Sequence, residues 1–217
     1  MSTNPPMCAA IAETQLLHKM HRAATSLLAD AAERPTAPSA ALAELRDFLV
    51  AALRHHHEAE DHELWPKLTA ADPVAGAGLD EVGAEHVALD ETLDTVAAVP
   101  VGETEDRTAL IEAAVALRDL VHRHIEHEEP VLFPALETHM SDEAWADFSR
   151  GVIASAPPVG THLNIGFFEQ VGTPEELKVV MANMPEGALP FIPAMREQAL
   201  ATLDSLQATH HGRTVLA

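Results

Sequence analysis

The stretch His56-His57-Glu58-Ala59-Glu60-Asp61-His62-Glu63-Leu64-Trp65-Pro66 returns 68 residues later as His124-Ile125-Glu126-His127-Glu128-Glu129-Pro130-Val131-Leu132-Phe133-Pro134. At that offset His56 falls on His124, Glu60 on Glu128, Leu64 on Leu132, Trp65 on Phe133, Pro66 on Pro134 and Leu68 on Leu136. Each copy contains His-x-x-x-Glu, a spacing that sets imidazole and carboxylate one turn apart on the same helix face. Two such pairs supply two nitrogens and two carboxylates, the beginning of a dinuclear metal site inside a helix bundle.

A weaker echo, at an offset of 65, places His21 on His86, Leu28 on Leu93, Ala32 on Ala97 and Pro35 on Pro100. The chain therefore reads as two similar halves, each a helix with one histidine followed by a helix with His-x-x-x-Glu. The counterpart of His18 at this offset is Gly83, so the echo selects His21 as the first-helix ligand.

Glycine and proline divide the chain into helical lengths. A first helix is expected from Met7 to Glu33, a second from Ser39, as N-cap, to about Trp65, and a third from Leu79 to Ala98. A fourth is expected from near Thr104, with Glu105 and Asp106 in its first turn, to about Glu129. Leu42, Leu45, Leu49 and Leu53 lead to His56 and Glu60, and Leu110, Leu117, Leu120 and Val121 lead to His124 and Glu128. Leu79, Val82, Leu89, Leu93 and Val96 surround His86, and Leu17, Ala24 and Leu28 surround His21. Each chosen residue continues its helix's apolar face. The expected fold is all-α, an up-down-up-down antiparallel four-helix bundle over residues 1–150 with a C-terminal helical extension over 151–217. In the extension, Thr173-Pro174-Glu175-Glu176 reads as a capped helix start, and a last helix spans Phe191 to Ala208, ending at His210-His211-Gly212. Its apolar residues would pack across the bundle or build a homodimer.

Thirteen basic residues against 34 acidic ones give a formal charge of -21, which disfavours nucleic acid and anionic membrane as partners. Cys8 is the only cysteine, so neither an internal disulfide nor a thiolate metal site is available. With no signal-peptide pattern at the N-terminus, a reducing cytoplasm is the expected setting. Seven of the 14 histidines lie between His55 and His62 or between His122 and His127. Among these, His55, His57, His62, His122 and His127 read as flanking or surface groups, and Asp90 as an extra ligand or a hydrogen-bond partner. Glu129 is an alternative to Glu128.

Burying Glu60 and Glu128 without partners would cost several kcal/mol each. A metal pair about 3.5–4 Å apart, bridged by both carboxylates, removes that cost. His21 and His56 would serve one metal, and His86 and His124 the other, a donor set that suits iron, manganese or zinc. Two nitrogens per metal leave positions open for a small ligand.

The order His, His-x-x-x-Glu, His, His-x-x-x-Glu over residues 11 to 140, with its Leu-Trp-Pro and Leu-Phe-Pro tails, resembles the hemerythrin-like (HHE cation-binding) family. The extension, including Gly166-Phe167-Phe168-Glu169 and Met181-Ala182-Asn183-Met184-Pro185, is similar to that of actinobacterial members. The resemblance implies a four-helix bundle holding two iron ions. Glu60 and Glu128 would bridge them, and His21, His56, His86 and His124 would be terminal ligands. It also implies binding of dioxygen, nitric oxide or peroxide in a redox or nitrosative stress response, with a catalase-like or peroxidase-like activity within the family's range. Oxygen-carrying hemerythrins have His-x-x-x-His where this chain has His86 and Asp90, and His-x-x-x-x-Asp where it has His124 and Glu128. Both departures argue against reversible oxygen carriage. The rival expectations are an iron-holding protein and a zinc-dependent hydrolase or transferase on a similar bundle.

Overall fold

The computed structural model describes residues 8–103 and 106–208. The expected helix starts at Met7 and Thr104, with Glu105, and the histidines at His210-His211 lie outside them. Helix α1 (Ala9–Ala32) leads to α2 (Ser39–Ala59), a π-turn (Glu60–Leu64) and α3 (Trp65–Ala71). After these come α4 (Pro73–Gly83), α5 (His86–Ala98), α6 (Thr108–His139), α7 (Asp142–Ser155), α8 (Thr161–Val171) and α9 (Pro174–Asn183). A 3₁₀ turn (Leu189–Phe191) then leads into α10 (Ile192–Gln207). Among the described residues there is no strand, and no helix is long and apolar enough to cross a membrane.

Several helix limits differ from expectation, each for a local reason. The second helical segment does not stop at Trp65. In the π-turn the Trp65 N–H reaches back to the Glu60 carbonyl, and this register shift suits Pro66, which has no N–H to give. The expected third helix is broken at Ala84-Glu85. Helix α6 runs on through Pro130 and Pro134 to His139, where an end near Glu129 was expected. An internal proline costs about 3 kcal/mol, and burial of Leu132, Ala135 and Leu136 beyond it offsets that loss. Ser39 is the first residue of α2 rather than its N-cap. Its hydroxyl accepts from Arg107 Nη2, whose guanidinium also bonds the carbonyls of Arg34 and Ala37.

Two apolar clusters form the core. One joins Leu28, Leu42, Leu49, Leu93 and Leu117 with Leu163, Phe167, Leu203 and Leu206 of the C-terminal helices. The other gathers Trp65, Leu68, Leu79, Leu132, Leu136 and Trp145. Along α2 and α6 the chain passes through the first cluster, then the His-x-x-x-Glu residues, then the second. The polar site thus sits between two apolar plugs.

The C-terminal helices pack onto the bundle. Gly166 allows α8 to approach α10 closely, because a Cβ there would stand 2.6 Å from that of Ala199. Gly160, at φ +59°, takes a conformation open to glycine and starts α8 beside Phe48. Helix α9 is fixed by the Thr173–Glu176 capping box and by Lys19 Nζ of α1, 2.7 Å from Glu176 Oε1.

Candidate metal centre

His56, Glu60, His86, His124 and Glu128 come together from α2, the π-turn, α5 and α6, all buried. The two carboxylates lie between the histidines. Glu60 Oε1 is 3.4 Å from His56 Nε2, and its Oε2 is 3.7 Å from His86 Nε2. Glu128 Oε2 is 3.5 Å from both His124 Nε2 and His18 Nε2. Potential ligand atoms of His18, His56, Glu60 and Glu128 lie within 4.8 Å of one another, as do those of His57, His86 and His124.

Outer carboxylates set the imidazole tautomers. His86 donates from Nδ1 to Asp61 at 3.0 Å, His124 from Nδ1 to Glu85 at 3.0 Å, and His18 from Nδ1 to Glu129 at 3.1 Å. Arg22 donates to the same Glu129 oxygen at 3.0 Å. Each Nε2 is then left as a lone pair facing inward, the arrangement of a metal-ligating histidine with its supporting carboxylate. His86 Nε2 and His124 Nε2 stand only 3.3 Å apart. Two lone pairs at that distance repel, and a cation resolves the conflict.

The remaining polar atoms make the same demand. His18 Nε2, His56 Nε2, Glu60 Oε2 and both Glu128 oxygens are buried without a hydrogen-bond partner, a state that costs several kcal/mol unless a cation compensates. Burial and the neighbouring Glu128 charge raise the Glu60 carboxyl well above its usual range. Burial, with adjacent imidazoles, holds His56 and His57 well below theirs, and His124 is lowered chiefly by burial. His56, His57 and His124 are therefore neutral, as metal ligation needs. The donor set, imidazole nitrogen and carboxylate oxygen without thiolate, fits iron, manganese or zinc.

His21 lies elsewhere in the site. It is completely buried, its ring 4.9 Å from that of His56, and neither of its nitrogens has a partner. Burial and the nearby imidazoles lower its pKa to about 3. The α1 histidine that faces the carboxylates is His18, three residues earlier.

The signal for His18 was in the sequence. The principal offset of 68, rather than 65, relates His18 to His86, and the structure repeats at that offset. Trp65 stacks on His86 at 4.9 Å, and Phe133 stacks on His18 at 6.2 Å. Asp61 and Glu129, each following a central glutamate, hold the corresponding Nδ1 atoms. The break at Ala84-Glu85 explains why an offset tuned to the surrounding leucines fails at His86. Gly83 makes room for the clamp, since a Cβ there would stand 2.4 Å from the Trp65 ring.

His57 was read as a flanking group, yet it is buried, with its ring 4.2 Å from that of His86. Offset 68 pairs it with Ile125, so repetition gave no hint of it. Asp90 is exposed, with its Oδ1 3.7 Å from His57 Nδ1.

The model of the hemerythrin HHE cation binding domain matches residues 12–143 of the chain. The chain belongs to the hemerythrin HHE family. No curated protein and no solved structure matches it. The HHE match contains every residue of the His/Glu cluster, from His18 to Glu128, and ends just inside α7. Helices α8 to α10 lie beyond it.

Proposed function

We propose that this hemerythrin-like protein holds a dinuclear non-haem iron centre and binds a small ligand, dioxygen, nitric oxide or peroxide, in a redox or nitrosative stress response. His18 and His56 would serve one ion, and His86 and His124 the other, with Glu60 and Glu128 between them. The observation that carries this reading is the placement of the two unpartnered carboxylates, each in contact with a histidine of both groups. The fold we propose is an up-down-up-down bundle of α1, α2, α5 and α6. Packing of α1 on α2 and α6, and of α5 on the same two helices, supports it.

An iron pair so held would supply redox-active Lewis acids with positions left open to a small ligand. The chain's own residues prepare the place. Asp61, Glu85 and Glu129 keep the Nδ1 protons on the outer side of their rings, and Trp65 and Phe133 restrain two of those rings. The apolar clusters pack on either side of the site.

A zinc hydrolase is the second reading. It is favoured by the three imidazoles His57, His86 and His124, a donor set that suits a single zinc with one open position. Metal analysis of protein purified without added metal, with an electronic spectrum of the same sample, separates the two. Two irons per chain with ligand-to-metal charge-transfer bands that change on adding nitric oxide or peroxide are expected. One zinc and a featureless spectrum would reject the iron centre in favour of the hydrolase.

A further inference from the structure

A cavity of about 550 Å³ lies between the bundle and its C-terminal helices. Its lining runs from completely buried His21, past His56 and Glu60, to Val159 and Phe191, which are 40% and 65% exposed. It therefore connects the neighbourhood of the metal centre with the surface. A diatomic ligand needs about one water's share of space, roughly 30 Å³. The cavity instead falls within the range of about 300–1,000 Å³ typical of sites for larger organic ligands.

We infer that this cavity binds a neutral, largely apolar organic molecule bearing one hydroxyl or carbonyl group, with that group at His21. The walls are mainly hydrocarbon and aromatic, among them Phe48, Phe148, Val152, Ile165 and Phe168, and no lysine or arginine lines them. An anionic head would find no counter-charge there and would face the Glu13 and Glu60 carboxylates. Glu13 is already engaged by neighbouring side chains. It accepts from Trp145 Nε1 at 2.8 Å, Ser149 Oγ at 2.5 Å and Asn183 Nδ2 at 3.1 Å.

His21 is different. It is fully buried at the inner end, and both ring nitrogens lack partners. A neutral imidazole offers one donor and one acceptor, which match a hydroxyl or a carbonyl. The exposed apolar side chains at the mouth suit entry of a molecule that leaves water reluctantly. Much of the wall comes from α7 to α9 and the 3₁₀ turn, so this inference gives the C-terminal extension a role beyond the metal centre.

The test is fluorescence titration of the full-length protein, as purified, with the neutral apolar dye N-phenyl-1-naphthylamine, followed by displacement. Saturable binding of one dye per chain is expected. 1-Dodecanol should displace it at least tenfold more effectively than dodecanoate or dodecylammonium. Val152→Trp, which fills the cavity from α7, and Ala188→Trp, which fills it beside the 3₁₀ turn, should each weaken dye binding at least tenfold with helical content and metal content unchanged. Two variants on separate elements guard against one failing to fold. His21→Leu should remove the preference for 1-dodecanol over dodecane. Absence of saturable binding, undiminished binding in both tryptophan variants, or stronger displacement by either charged amphiphile would overturn the proposal. A protein that binds the dye but no iron would refute the metal reading alone.

Discussion

His18 and His21 occupy neighbouring positions on one face of α1, and a single substitution at each distinguishes their work. His18→Ala removes an imidazole that contacts Glu128 and is supported by Glu129. On the proposed dinuclear reading it should lower metal content from two ions per chain to about one and destabilise the metal-loaded protein. His21→Ala removes a ring packed behind His56 and should keep both ions. The measurement is metal analysis of the two purified variants, and equal loss in both would reject His18 as the α1 ligand. The comparison also marks how far the sequence could be read. The residues of the doubled His-x-x-x-Glu stand out because helical periodicity and repetition agree there. The choice between two histidines three residues apart depends on side-chain direction, which a repeat offset specifies only where the helices of the two halves correspond turn for turn. They do not at Ala84-Glu85. His57 is less legible still, since only the packing against His86 distinguishes it from half-buried His55 and exposed His62 beside it.

At the scale of elements, helix capping and charge pairing account for how the extension is held. Glu176 closes the α9 capping box and pairs with Lys19 of α1. Glu176→Gln keeps a side chain able to cap but loses the charge, and should cost about 1 kcal/mol. Glu176→Ala loses both and should cost about 2–3 kcal/mol. Urea denaturation of both variants checks the order: equal costs would show that the cap contributes nothing, and a Gln variant as stable as the parent would show that the ion pair contributes nothing. Burial opposes ionisation of Glu176, but the Lys19 pair and the Thr173 bonds outweigh it and leave its pKa lowered. Its stabilising effect is accordingly present above the usual carboxylate range and lost as pH falls through the lowered value. The Thr173-Pro174 helix start was plain in the sequence because its cap is local chemistry. The π-turn and the passage of α6 through Pro130 and Pro134 were not, because distant contacts of Leu64, Leu132 and Leu136 stabilise both.

Across the whole molecule, the buried histidines set the pH response of the metal-free protein. His21, His56 and His57 have folded-state pKa values below 6.5, so below that pH the unfolded chain binds more protons than the folded one. Stability held above pH 6.5 is lost as pH falls, down toward about 3 for His21. Glu60 acts in the opposite sense. Its raised pKa stabilises the fold at low pH, an effect lost as pH rises through that value. His124 is lowered as well, so the histidines outnumber the one carboxyl and stability falls between pH 6.5 and 5. Chemical denaturation of chelator-treated protein at the two pH values measures it. His57→Leu should reduce the loss, and a flat profile would contradict the burial of neutral imidazoles.

The 68-residue repeat has a consequence for ancestry. Glu60 meets His56 of its own half and His86 of the other, while Glu128 meets His124 of its own half and His18 of the other. Every bridge across the centre is thus also a bridge between the halves. A single repeat unit would carry two of these four histidines and one of the two glutamates, and two copies related by a twofold axis would complete the same set. Gene duplication and fusion of such a dimer would leave a single polypeptide in which the two copies could diverge.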